Sequence, residues 1–144
     1  MKEDIRGLIK DGRIRMRGID KEQIKSLITS SKSNADVVLF ISLYEKSATV
    51  IFREIYESIR QLGDAMWWLN GYEPLDHDVS LEILKDLRIE NSVELNFLDR
   101  FRRIRNDANY RGFKVAESQT KEIISFWNKS GLEILDLIKQ ELKS

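Results

Sequence analysis

Cysteine is absent from the chain. That excludes disulfides, thiolate zinc sites and cysteine nucleophiles. Histidine occurs once, at His77. A multi-histidine metal centre and a Ser-His apparatus built on a second histidine are therefore not expected. There is one proline and there are seven glycines, too few for an all-β protein with many tight turns, so helices are expected. No run approaches the roughly 20 apolar residues that a membrane span needs. The opening MKEDIRGLIKDGR is charged from its second residue and lacks the apolar region of a secretory signal. A cytoplasmic location is the expectation. No Gly-rich phosphate loop is present, and the acidic residues show no spacing that identifies a hydrolase.

What remains is a 144-residue chain with 42% hydrophobic and 33% charged residues. It reads as one domain, 1–144, large enough to bury a core. The net charge of zero hides a pattern. Residues 1–35 carry nine Lys/Arg and five Asp/Glu, and residues 36–99 carry five and thirteen. Residues 100–114 carry six and one, and residues 115–144 carry four and five. Any nucleic-acid surface would thus be a local basic patch, not a broad footprint. The simpler reading is solvated helix faces.

Residues 1–18 read as a short helix followed by a basic arm, with Arg13, Arg15 and Arg17 alternating with Ile14 and Met16. The arm can clamp phosphates, or it can pack Ile14 and Met16 and leave the arginines solvated. Asp20 with Gln23 suggests a capping box that opens a helix of about three turns. Ser33 or Asn34 is the expected cap of a long helix with apolar positions Val37, Ile41, Tyr44, Ala48, Ile51, Ile55, Ile59 and Leu62. Gly63 is a candidate break, and Asn70-Gly71-Tyr72-Glu73-Pro74 is a stop. A third helix is expected from Asp76–Asp78 through Leu87 and a fourth from near Ser92 to Gly112. A last helix is expected to be capped by Ser118. No period-two alternation predicts a strand. The fold class is all-α, an antiparallel bundle of about five helices.

The fourth helix ends in Arg100-Phe101-Arg102-Arg103-Ile104-Arg105-Asn106-Asp107-Ala108-Asn109-Tyr110-Arg111-Gly112. At about 100° per residue, Phe97, Phe101, Ile104 and Ala108 form a buried stripe. Arg105 and Asn109 lie on its edge, with Arg102 and Asn106 beside them. An arginine at a core edge is costly unless paired. Arg105 therefore either staples two helices through a carboxylate or faces an anion or partner.

The ordered features resemble the HEPN domain family. Its members are all-α bundles with a helix-borne Arg-Asn or Arg-polar pair, followed four to six residues after the arginine by histidine. The match is Arg105-Asn106-Asp107-Ala108-Asn109-Tyr110. Supporting context includes Tyr44 and Tyr56 in the long helix, Gly71-Tyr72-Glu73-Pro74-Leu75-Asp76-His77, and Tyr110-Arg111-Gly112-Phe113-Lys114-Val115. The likeness is to the subgroup with tyrosine at the histidine position. Active members are metal-independent endoribonucleases, often toxins or defence factors. In them arginine and histidine from two chains meet at a dimer interface. Some relatives pair with a nucleotidyltransferase.

The resemblance implies Arg105, Asn106 and Tyr110 as the catalytic-type positions. Arg102, Arg105, Asn109 and Arg111 are the nucleic-acid or anion contacts. No metal or cofactor is implied. Tyrosine, with an ordinary pKa near 10, is a poor general base at neutral pH. The expectation is therefore a non-catalytic domain that binds RNA, a nucleotide or a partner protein, with an altered ribonuclease as the alternative. A homodimer is expected. His77 is read as a structural histidine at a helix start, on a different segment from Arg105, so that only folding or dimerisation would bring the two together. Of Trp67 and Trp68, about 100° apart on a helix, one belongs in the core and one at a subunit interface.

Overall fold

The computed structural model describes residues 5–144, so the first four residues of the expected N-terminal helix lie outside the described part. The fold is an all-α bundle with one small two-stranded ribbon. Helix α1 spans Ile5–Lys10, α2 Lys21–Val38 and α3 Glu45–Leu69. Helix α4 is a single turn, Val79–Glu82, and α5 spans Leu98–Arg111. Helices α6 (Glu117–Phe126) and α7 (Leu132–Leu142) are joined without interruption by a π turn, Trp127–Gly131. Strands β1 (Ile14–Met16) and β2 (Tyr72–Pro74) pair antiparallel, with Ile14 opposite Pro74 and Met16 opposite Tyr72.

Helix α3 is the central element and packs against α2, α4, α5, α6 and α7. It is buried at Ala48, Ile51, Ile55, Ile59 and Leu62 of the predicted stripe, and also at Phe52. Phe101 of α5 meets Phe52 and Phe126 edge-on, with ring centres 6.0 and 5.6 Å apart. Such edge-to-face contacts add to the area buried.

Several boundaries differ from the sequence reading, each for a local reason. Asp20 does cap α2, accepting from the Gln23 amide at 3.1 Å. The helix then runs through Ser33 and Asn34 instead of restarting there. Ile28, Ser31, Ala35 and Val38 keep one face against α3, and Ser31 Oγ donates to the Ser58 carbonyl at 2.7 Å. The break falls at residues 39–44, where Ser47 Oγ accepts from the Tyr44 amide and donates to the Ser42 carbonyl. Val37, Ile41 and Tyr44 therefore precede α3 and are exposed. Gly63 does not interrupt α3. It admits the Ser80 backbone against the helix.

The expected third helix shrinks to α4 followed by turns, and Ser92–Phe97 is a 3-10 segment ahead of α5. Gly112 ends α5 in the left-handed conformation, φ 70°, that glycine favours. The last helix starts two residues earlier than a Ser118 cap would place it. The Ala116 amide donates to Gln119 Oε1 at 2.9 Å. The arm is half packed: Ile14 is buried, whereas Met16 is 69% exposed. Trp67 is in the core, and Trp68 is partly buried against it.

Candidate functional site

A cleft of about 710 Å³ opens on the surface, lined by Arg13, Asp76, His77, Asp78, Glu82, Arg102, Arg105, Asn106 and Tyr110. One wall is a single face of α5. Steps of three and four residues from Arg102 reach Arg105, Asn106 and Tyr110. The stripe that buries Phe101 and packs Ile104 and Ala108 on the core fixes the rotation of that helix.

The opposite wall comes from sequence positions far away. The β ribbon sets Arg13 beside Asp76, with Nε–Oδ2 at 2.7 Å and Nη2–Oδ1 at 3.4 Å. Asp76 Oδ1 also accepts from the Val79 amide at 2.7 Å, at the entry to α4. Partial burial pushes the Asp76 carboxyl upward, but Arg13 and the Val79 amide outweigh it and hold it below the ordinary carboxylate range. The turn is tied to α3 from below. Trp67 Nε1 donates to the Val79 carbonyl at 2.7 Å, and Ser80 Oγ donates to Asp64.

Charges in the cleft are paired with one exception. Arg102 lies 3.6 Å from Asp78 and 3.8 Å from Asp99. Glu82 is held by Lys85 at 3.0 Å, and Lys85 also reaches Asp99 at 2.8 Å. Of the three arginines lining the cleft, Arg105 alone has no carboxylate partner among the described residues. Its Nη1 donates to Asn106 Oδ1 at 3.2 Å. Its guanidinium carbon lies 5.6 Å from the centre of the Tyr56 ring and 5.9 Å from that of Tyr110. The two faces are unlike. Tyr56 is buried, and burial pushes its hydroxyl up to about 12 despite the nearby Arg105 charge. Tyr110 is 77% exposed.

The carboxylate staple considered for Arg105 is therefore not formed. The geometry instead presents a half-buried guanidinium, steadied by an aromatic floor and a side-chain amide, with its remaining donors available to an oxyanion. Arg102, Arg105, Asn106 and Tyr110 line the cleft as a group. Asn109 and Arg111 do not line it. Both are exposed, and Arg111 sits 3.9 Å from Asp107 and over the Phe113 ring.

Folding within one chain brings His77 to the same cleft as Arg105. The sequence offered no signal for Arg13, Asp78, Glu82 or Tyr56 as neighbours of Arg105, because their approach depends on the ribbon and on the turn before α4. No group of three or more His, Asp or Glu side chains among the described residues is placed to hold a metal ion. No helix among them is long and apolar enough to cross a membrane. No family model, curated protein or solved structure matches the chain.

Proposed function

We propose that this chain is a HEPN-like domain whose cleft binds a phosphate-bearing ligand, RNA or a nucleotide, without cutting it. The observation that carries this reading is Arg105, the cleft arginine with no carboxylate partner among the described residues. A guanidinium in that state is matched by a phosphate, which accepts two parallel hydrogen bonds from it. The exposed Tyr110 ring beside it supplies a face on which a base can stack. The Arg105-Asn106 pair, with tyrosine at the histidine position, supports the family and its non-cleaving side.

The test is titration of labelled single-stranded RNA and of ATP into wild type and Arg105→Ala. Binding by wild type that weakens about tenfold or more in the variant supports the reading, as expected for loss of a charge-assisted pair. Equal binding by both proteins refutes it.

A second reading is favoured by one observation: the chain's only histidine lines the Arg105 cleft. In metal-independent RNA cleavage, His77 would accept the 2′-hydroxyl proton as that oxygen bonds to phosphorus. The bond from phosphorus to the 5′ oxygen would break, with Tyr110 donating a proton to the leaving oxygen and Arg105 offsetting the phosphate charge. The products are a 2′,3′-cyclic phosphate and a 5′-hydroxyl. Cleavage in EDTA that disappears in both Arg105→Ala and His77→Ala would replace the first reading with this one.

The same proposal includes a homodimer acting in the cytoplasm, in a toxin, defence or nucleotidyltransferase-linked setting. The contrast between the acidic 36–99 segment and the basic 100–114 segment supports self-association. Light scattering that gives a monomer at micromolar concentration, in low and high salt, rejects the dimer.

A further inference from the structure

The charge pairing in the cleft restricts what kind of phosphate it accepts. Three arginines face three carboxylates. Arg13 is held by Asp76, Arg102 by Asp78 and Asp99, and Glu82 by Lys85. Of the arginines lining the cleft, Arg105 alone has no compensating carboxylate among the described residues. A continuous RNA strand crossing the cleft would bring its flanking phosphates against Asp76, Asp78 and Glu82, whose neighbouring cations among the described residues, Arg13, Arg102 and Lys85, are already paired. A basic groove that tracks a backbone has the opposite arrangement.

We propose that the cleft takes a single terminal phosphomonoester of a nucleotide, seated on Arg105, with the attached base on Tyr110. This rests on the reading of Arg105 as a phosphate ligand. A phosphomonoester presents three free oxygens, one more than the internal diester of a strand. Arg105 engages two of them, and the His77 imidazole in the same cleft offers a further donor for the third. The volume of about 710 Å³ lies within the roughly 300–1,000 Å³ usual for small-molecule sites. The Tyr110 face is exposed at the end of the same helical row, which leaves it open to a base. Two sources present this chemistry: a free nucleoside monophosphate, and the phosphorylated end of an RNA.

The experiment uses the whole chain and calorimetric or anisotropy titrations. The probes are AMP, UMP, and one single-stranded RNA prepared with a 5′-phosphate, a 3′-phosphate or hydroxyls at both ends. An end-phosphorylated RNA or a monophosphate is expected to bind about tenfold or more tighter than the hydroxyl-ended RNA. The logarithm of the RNA affinity is expected to fall with the logarithm of salt concentration with a slope near −0.7, the value for one neutralised phosphate on a single strand. Tyr110→Ala is expected to weaken the favoured probe by about tenfold. Preference for AMP or UMP assigns the free nucleotide, and preference for one RNA end assigns that end. RNA binding that needs Arg105 but ignores the terminal phosphate, with a slope steeper than about −2, overturns the inference and leaves Arg105 as an anion ligand. Absence of binding by every probe overturns both.

Discussion

Gly63→Ala tests whether the cleft's second wall is seated on α3 as described. A Cβ built on Gly63 lies 2.7 Å from the Ser80 carbonyl carbon, closer still to its oxygen, and 3.4 Å from its Cα. All three are backbone atoms, so no side-chain rotation relieves the contact. Comfortable carbon contacts are about 3.5–4.0 Å, so the Val79–Ser80 backbone must retreat. Two bonds hold that backbone in place, Trp67 Nε1 to the Val79 carbonyl and Ser80 Oγ to Asp64. Helix propensity favours alanine by about 1 kcal/mol. Overpacking costs about 1–3 kcal/mol, and a broken buried hydrogen bond adds about 1–3 kcal/mol.

The expected net effect is a loss of about 1–5 kcal/mol. Urea unfolding followed by circular dichroism measures it, and at this chain length each kcal/mol corresponds to a Tm drop of about 3 °C. Gly7→Ala is the matched control. Gly7 also lies in a helix, but nothing comes within 4 Å of its added Cβ. There the same substitution is expected to stabilise, by up to about 1 kcal/mol. If Gly63→Ala is as stable as wild type, the close seating of the turn on α3 is wrong.

Trp67→Phe is expected to destabilise by about 1–3 kcal/mol through the orphaned Val79 carbonyl alone, with a further cost for the lost ring volume; thermal unfolding reads it. Acid titration of stability should show a loss below the ordinary carboxylate range. Asp76, Asp99 and Glu133 all sit below their usual values. The unfolded chain thus takes up their protons first, and their contribution is present above about pH 4 and lost as pH falls through the folded values. Asp64 has the opposite sign, because burial pushes its carboxyl up against the help of Ser80 and Arg60. Its contribution falls as pH rises from about 4 through its raised folded value. Asp64→Asn should flatten that part of the profile, and Asp76→Asn should shrink the acid loss. An unchanged profile in both variants refutes the assignment.

The parts of the fold that were legible rest on local rules. The α3 stripe follows from helical periodicity, the α2 start from Asp20 and the α5 end from Gly112. The α2–α3 break was misplaced because residues 39–44 contain neither glycine nor proline. What ends α2 there is a turn held by the Ser47 hydroxyl, while Ser33 and Asn34 lie in a helix whose buried face continues past them. The ribbon was illegible because its three-residue strands are too short to show a period of two. The same division holds for the site. The α5 wall was readable from one helix. The other wall was not, since Arg13 and Asp76 stand 63 residues apart and meet only through the ribbon.

Arg105 shows what sequence could not decide and how stability separates the alternatives. Its spacing allowed a buried staple or a free ligand group. A staple would leave a stranded carboxylate in Arg105→Ala, at a cost of about 3–5 kcal/mol. No carboxylate among the described residues pairs with Arg105, so nothing charged is stranded when the guanidinium goes. What is lost is the contact with the Tyr56 ring, about 0.5–2 kcal/mol, and one hydrogen bond to the half-buried Asn106 amide, about 1 kcal/mol. Removing the charge also leaves the buried Tyr56 hydroxyl without the cation that opposes its upward shift, so its ionisation should move higher still. Arg105→Ala is thus expected to fold, with a stability loss below about 3 kcal/mol. A larger loss in urea unfolding would mean that Arg105 is structural after all, and the anion reading of the cleft would fall with it.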